Sequence, residues 1–338
     1  AASDVYKRQR LDVAKLAGVS PATVSNVMNN AQKVRGETVE RVQAAMAQLN
    51  YQPNMVARSL TTRKTMQIGL VLENIRNPYY GEIVEHFEAA ASARGYFVNI
   101  CIGTQNIDHY LDNFVTRRLD GVFVAALPHM FDMSKLDQLL ENDIRVLVSG
   151  NTDVDYRRFS SIESDYAAAM RMAVKHLAGL GHSEIVYLSG LSHEMRYDLR
   201  CDAYQKQMTE LGLCPVLIDG DPPYQTDVRA GYRQASRLLS SQTPFTAVIC
   251  GNDLMAIGAM RAFFERGLRV PEDISVVGFD GIDLGRFQTP SLTTLAVDAR
   301  DFGEKAFELL YASMTQETTS FYSSKLKLIQ GESTAQRR

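Results

Sequence analysis

The stretch Asp12-Val13-Ala14-Lys15-Leu16-Ala17-Gly18-Val19-Ser20-Pro21-Ala22-Thr23-Val24-Ser25-Asn26-Val27 sets the architecture of the amino-terminal part of the chain. Residues 11–17 read as a short helix, and Gly18 allows a tight turn after it. Ser20 suits the cap of a second helix. Pro21 suits that helix's first position, where a missing N–H costs nothing. Val24, Val27 and Met28 fall at i, i+3 and i+4 and face inward. Pro21, Ala22, Ser25, Asn26 and Asn29 are left on the outer side. A third helix starts near Glu37, with Val39, Val42, Met46 and Leu49 on one stripe. Helix, glycine turn, helix is the helix-turn-helix pattern, whose second helix enters the DNA major groove. Spacing alone leaves a generic small helical bundle equally open.

Charge points the same way. The chain has 338 residues and a formal net charge of −3, yet residues 1–64 carry ten Lys and Arg against four Asp and Glu. A basic head on an acidic body suits contact with a polyanion. The stretch Asp12–Val27 closely resembles the DNA-binding motif of the lactose-repressor (LacI/GalR) family. Asn50-Tyr51-Gln52-Pro53-Asn54-Met55-Val56-Ala57-Arg58-Ser59-Leu60 resembles that family's hinge helix. The resemblance places Pro21, Ala22 and Asn26 at the three base-reading positions. Asn26 can pair bidentately with adenine and Ala22 can touch a thymine methyl, whereas Pro21 brings no donor. The other reading of Asn26 is a solvated surface amide. Ser20, Thr23, Ser25 and Asn29, with Tyr51, Asn54, Ala57 and Arg58, complete the expected DNA-binding set; Arg63 and Lys64 add phosphate contacts. The resemblance also implies that Leu60 of each subunit wedges into the minor groove. The polar run Thr61-Thr62-Arg63-Lys64-Thr65 argues against Leu60 as a core residue. A hinge of this length is marginal alone in water and orders with DNA and a partner hinge.

From Met66 short apolar strands alternate with helices: Ile68–Leu72, Val98–Ile100, Gly121–Val124, Arg145–Val148, then Ile185–Leu188, Val216–Ile218, Ala247–Cys250 and Ser275–Gly278. Two such series imply two doubly wound parallel-sheet lobes with ligand at the strands' carboxyl ends. The fold class is therefore α/β: a small all-α helix-turn-helix head plus two doubly wound lobes, similar to type I periplasmic-binding proteins. Expected boundaries are 10–52 for the head, 53–65 for hinge and linker, and 66–338 for the core. Within the core, one lobe takes about 66–160 and 294–322, and the other about 161–291 and 323–338. Residues 1–9 resemble the in-frame translation of a transposase adapter used in sequencing, in place of the first native residues, and are set aside.

Resemblance also places the effector pocket. Tyr79 and Tyr80 follow the first strand and offer aromatic faces to a sugar or base. Arg200, Asn252, Asp253, Asp280 and Asp165 supply polar groups. Asp253 and Asp165 have a second reading as helix caps. A sugar or sugar derivative is the first expectation and a nucleobase or nucleoside the second. The family implies a homodimer through the core. Two departures stand out: the segment Gln105–His109 is shorter than usual in the family, and Gly331 stands where the family often has arginine.

No enzyme motif is present: no GxSxG, HExxH, Walker loop or GxGxxG after a strand. His193-Glu194 lacks a second metal ligand, and the four cysteines lack metal spacing, which fits thiols in a reducing cytoplasm. No cofactor or metal is expected, and no apolar run is long enough to span a membrane. The expected function is a cytoplasmic transcriptional regulator, a repressor, binding a near-palindromic operator under small-molecule control. A solute-binding protein without a DNA role is the alternative; it would carry a signal peptide and lack the basic head.

Overall fold

The computed structural model describes residues 10–51, 59, 64–103, 106–125, 131–149, 155, 157–192, 199–222 and 225–337, with the side chains of Asn29 and Asn30 excepted. The expectations for residues 1–9, Asn54, Ala57, Arg58, Leu60, Arg63, the Asn29 side chain and His193-Glu194 lie outside these residues. The chain divides into two compact units, Ala1–Thr65 and Met66–Arg338.

The first unit contains helices α1 (Arg10–Ala17), α2 (Pro21–Asn30) and α3 (Gly36–Gln48), with a turn of 3₁₀ helix at Ala31–Lys33. Gly18 takes φ +64, a left-handed conformation that a side chain would oppose. Ser20 Oγ accepts from Thr23 N at 3.0 Å and so caps α2. The small core is Val13, Ala14, Ala17, Val24, Val27, Val42 and Ala45, with Val39, Met46 and Leu49 half-buried around it. Ala45 joins this core although its small side chain gives no strong periodic signal.

The second unit runs β1 (Gln67–Leu72), α4 (Pro78–Ala93), β2 (Phe97–Ile102), α5 (Ile107–Arg117), β3 (Gly121–Ala125), α6 (Ser134–Glu141), β4 (Arg145–Ser149) and β5 (Ser160–Ser164). It continues with α7 (Tyr166–Gly179), β6 (Ile185–Leu188), α8 (Leu199–Glu210), β7 (Val216–Ile218), α9 (Val228–Ser240), β8 (Ala247–Cys250), α10 (Asp253–Glu265) and β9 (Ser275–Asp280). Last come α11 (Asp283–Arg286), β10 (Thr293–Ala296), α12 (Ala299–Gln316), β11 (Phe321–Ser324) and β12 (Lys327–Ile329). One sheet has the order β11-β5-β4-β3-β1-β2 and the other β12-β10-β9-β8-β6-β7. Every pairing is parallel except β10 with β12, an antiparallel edge.

Strand pairing fixes where the chain changes lobe. Ser161–Ser164 pairs with β11 in the first sheet, and Thr293–Ala296 pairs with β9 in the second. The changes therefore fall after Ser164, after Ala296 and between Ser324 and Lys327. Ser160-Ser161-Ile162-Glu163-Ser164 and Thr293-Thr294-Leu295-Ala296 are too polar to announce themselves as buried strands, yet their residues are almost wholly buried. The first sheet is covered on one side by α4 and α12, where Phe87 packs against Phe123 and edge-on to Phe307 at centroid distances of 5.5 and 5.8 Å. The chain's final segment is tied to the second lobe. Ser333 Oγ donates to Val276 O, and His182 lies within 3.1 Å of Ser275 Oγ, Thr246 Oγ1 and Ala335 O. Gly331 sits here for want of room, since a Cβ would come within 2.5 Å of Ser291 O.

Candidate functional site

The recognition helix α2 exposes what its sequence leaves outside. Ala22 and Asn26 are exposed, and Pro21, Thr23 and Ser25 are half-buried. Ser20 lies at the same end, its Oγ shared between Thr23 N and Thr23 Oγ1. Arg10 donates to Ser25 Oγ at 3.2 Å, which brings a cation to the helix's outer face. Tyr51 is half-buried and packs on the core of the first unit, its N–H bonded to Met46 O. This surface has a free amide, small apolar contacts and a nearby guanidinium, the groups that base edges and phosphates take up.

The second candidate site lies where the carboxyl ends of both sheets converge. In the first sheet β1 lies between β2 and β3, and in the second β6 lies between β7 and β8; these are the positions where strand order reverses. Glu73 follows β1 directly. Asn77 caps α4 by accepting from Tyr79 N at 3.2 Å, and its Nδ2 donates across the lobes to Asp280 Oδ2 at 2.8 Å. Asp280 ends β9 with φ +104, a strained conformation for a residue with a Cβ. Burial pushes its carboxyl up to about 7, against the hydrogen bond from Asn77 and the charge of Arg200. Arg200, in the first turn of α8, donates to Gly251 O at 2.9 Å just past β8. Its guanidinium lies 4.5 Å over the Tyr166 ring. Tyr79 and Tyr80 stand with ring centroids 5.3 Å apart, and burial raises both phenols well above the usual tyrosine range.

Of the residues expected here, Tyr79, Tyr80, Arg200 and Asp280 come together. The other three are engaged locally. Asp165 accepts from Ala168 N and caps α7. Asn252 accepts from Met255 N, capping α10, and donates to Thr226 O. Asp253 is fully buried and accepts from Gly281 N, Ile282 N and Thr294 Oγ1, so it fastens the loop after β9. Sequence reasoning missed Glu73, Asn77 and Tyr166. A charged residue directly after the apolar run Ile68–Leu72 was the available signal for Glu73, since the switch-point rule singles out that strand end. Among the described residues no group of three or more His, Cys, Asp or Glu is placed to hold a metal ion. None of the helices among them is long and apolar enough to cross a membrane.

Known proteins share both halves of this arrangement. The family described as bacterial regulatory proteins, lacI family, matches residues 11–54, and a periplasmic binding protein-like domain matches residues 174–334. An HTH-type transcriptional repressor PurR of Glaesserella parasuis is 36% identical over 313 residues, spanning 90% of this chain and 89% of that protein. The PurR of Pasteurella multocida is 34% identical over 311 residues, 91% and 92% of the two chains. Among solved structures, the lac repressor dimer bound to operator and the anti-inducer ONPF superposes with TM-score 0.83 at 29% identity, covering 97% of this chain and 99% of that one. The CelR regulator in complex with cellobiose gives TM-score 0.71 at 26% identity over 96% and 99%.

Proposed function

The chain belongs to the lacI family of bacterial regulatory proteins, and from that premise we propose how its two sites divide the work. It is a DNA-binding transcriptional repressor with an effector-binding core, and not an enzyme. Helix α2 reads operator bases through Asn26, with apolar contact from Pro21 and Ala22, while Ser20, Thr23, Ser25 and Arg10 hold phosphates. Two copies, paired through the core, bind a near-palindromic operator whose symmetry mirrors their own. The hinge roles of Tyr51, Asn54, Ala57, Arg58 and Leu60 rest on the family resemblance. DNA as partner makes the cytoplasm the place of action.

The effector sits between the lobes against Tyr79, Tyr80, Tyr166, Arg200 and Asp280. The observation that carries this reading is the cross-lobe assembly itself. Asn77 of one lobe bonds Asp280 of the other at 2.8 Å, beside a half-buried arginine and three tyrosines. A ligand binding there changes the energy of lobe closure and so biases the DNA-binding state. The coupling is reciprocal and typically about 1–3 kcal/mol. A sugar or sugar derivative is the favoured effector, because aromatic faces and convergent polar groups suit a hydroxyl-rich ring and CelR is seen with cellobiose. A nucleobase or nucleoside is the second reading. The tyrosine faces and an acid pushed up to about 7 would serve a planar heterocycle equally well.

Selection of duplexes from a random library by the full chain tests the DNA half. We expect a near-palindromic motif. Asn26→Ala should relax the preference at one position of each half-site by about 1–3 kcal/mol of discrimination. An identical motif from the variant would refute base reading by Asn26.

A further inference from the structure

We propose that Glu73 is a specificity-determining residue of the cleft: with Arg200 on the opposite lobe it selects an effector presenting a hydroxyl or amine donor and rejects a phosphorylated one. The proposal deepens, and rests on, the reading of this cleft as the effector site. Glu73 leaves the carboxyl end of β1, the strand flanked by β2 and β3 at the sheet's switch point. Arg200 is fastened on the other lobe, through Gly251 O just past β8, the strand beside the second sheet's switch-point strand β6. The two side chains interact electrostatically, and Tyr80 lies within the field of both.

Arg200 is already committed on two sides, to a backbone carbonyl and to the Tyr166 face. Glu73 has no hydrogen-bond partner among the described residues, and burial holds its carboxyl above the usual range despite the arginine. A half-buried carboxylate in that condition gains from a donor that reaches it. Glu73 is acceptor-only when ionised, so the complementary group is O–H or N–H. Asp280, which also lies within the field of Arg200, is a second acid of the cleft, and among the described residues that act on these two acids Arg200 is the single cation. A phosphate entering here would meet two acids for one guanidinium. A neutral polyol or an amine would not.

The test uses the full chain, thermal melting and calorimetry with matched probes. The probes are glucose, glucosamine and glucose 6-phosphate; ribose and ribose 5-phosphate; cellobiose; and adenine, guanine, hypoxanthine, adenosine and adenosine monophosphate. We expect the tightest binder to be uncharged or amine-bearing, with its phosphorylated counterpart at least tenfold weaker. Glu73→Gln should weaken the tightest binder about tenfold, by loss of a charge-assisted bond, and narrow the gap to the phosphorylated counterpart. A phosphorylated probe that binds as tightly as its parent, or a Glu73→Gln variant that changes neither affinity, overturns the assignment while leaving the cleft reading intact. No binding by any probe, or binding that Arg200→Ala leaves unchanged, overturns the cleft reading and the assignment with it. Should Glu73→Gln fail to fold, the parent-against-phosphate comparison in the unaltered chain decides alone.

Discussion

The head and the core solve the problem of building a site in opposite ways. The candidate DNA surface comes from one ten-residue helix and its cap. The candidate effector surface draws on Glu73, Tyr79, Tyr80, Tyr166, Arg200 and Asp280, and its central bond joins residues 203 positions apart. A site on one helix inherits its geometry from 3.6-residue periodicity, so spacing alone says which side chains point outward. A site at strand ends inherits its geometry from sheet order, which no local pattern contains.

The largest predicted effect tests whether the two regions are separate. Phe87 is fully buried between Phe123 and Phe307, far in sequence from residues 10–51. Phe87→Ala should cost the core about 3–5 kcal/mol. Hydrogen exchange read by mass spectrometry should show protection falling across Met66–Arg338 and unchanged in α1 to α3. An equal fall in the head would break the division.

The contrast also explains what the sequence disclosed. Gly18, Ser20-Pro21 and the Val24, Val27 pair are local devices, and the head follows from them directly. The strands Ile68–Leu72 and Ala247–Cys250 are apolar runs buried on both faces, equally plain. Strand β5 is not, because Ser160, Ser161, Glu163 and Ser164 look like loop residues; only its pairing with β4 and β11 makes it a strand. In the site, Tyr79, Tyr80, Arg200 and Asp280 were legible through resemblance. Asn252 and Asp253 carry the same polar chemistry but spend it on Thr226, Gly281, Ile282 and Thr294. A residue type states what bonds are available, and the fold states which are already used.

A smaller effect sharpens the difference between the two buried aspartates. Asp280 titrates near about 7 in the folded chain, against about 4 when unfolded. Folding therefore raises its proton affinity. The stability it contributes is complete below about pH 4 and is lost as pH rises through about 7. Asp280→Asn should flatten this fall, which amounts to at most about 4 kcal/mol. Melting temperatures from pH 4 to 8 would show it. A slope identical to the parent's would assign the titration to another group, Asp253 first, whose carboxyl burial also raises.

The smallest effect returns to the head. Ser20→Ala removes the cap on Thr23 N and should cost about 1 kcal/mol of local stability. Amide exchange at Thr23 should quicken about fivefold, with the core's amides unmoved. No change there would mean that Thr23 N–H finds water as readily as Ser20.

The polar strand β5 has a consequence in time. It lies between β4 and β11, and β11 begins at Phe321, near the end of the chain. On a ribosome adding about 5–20 residues per second, roughly ten to thirty seconds separate the emergence of the two strands. Throughout that interval β5 is the open edge of a partly built sheet, the kind of edge that recruits other chains. Serine and glutamate along it make a poor template for aggregation. The composition that hides this strand from a reader also guards a nascent lobe until its last strand arrives.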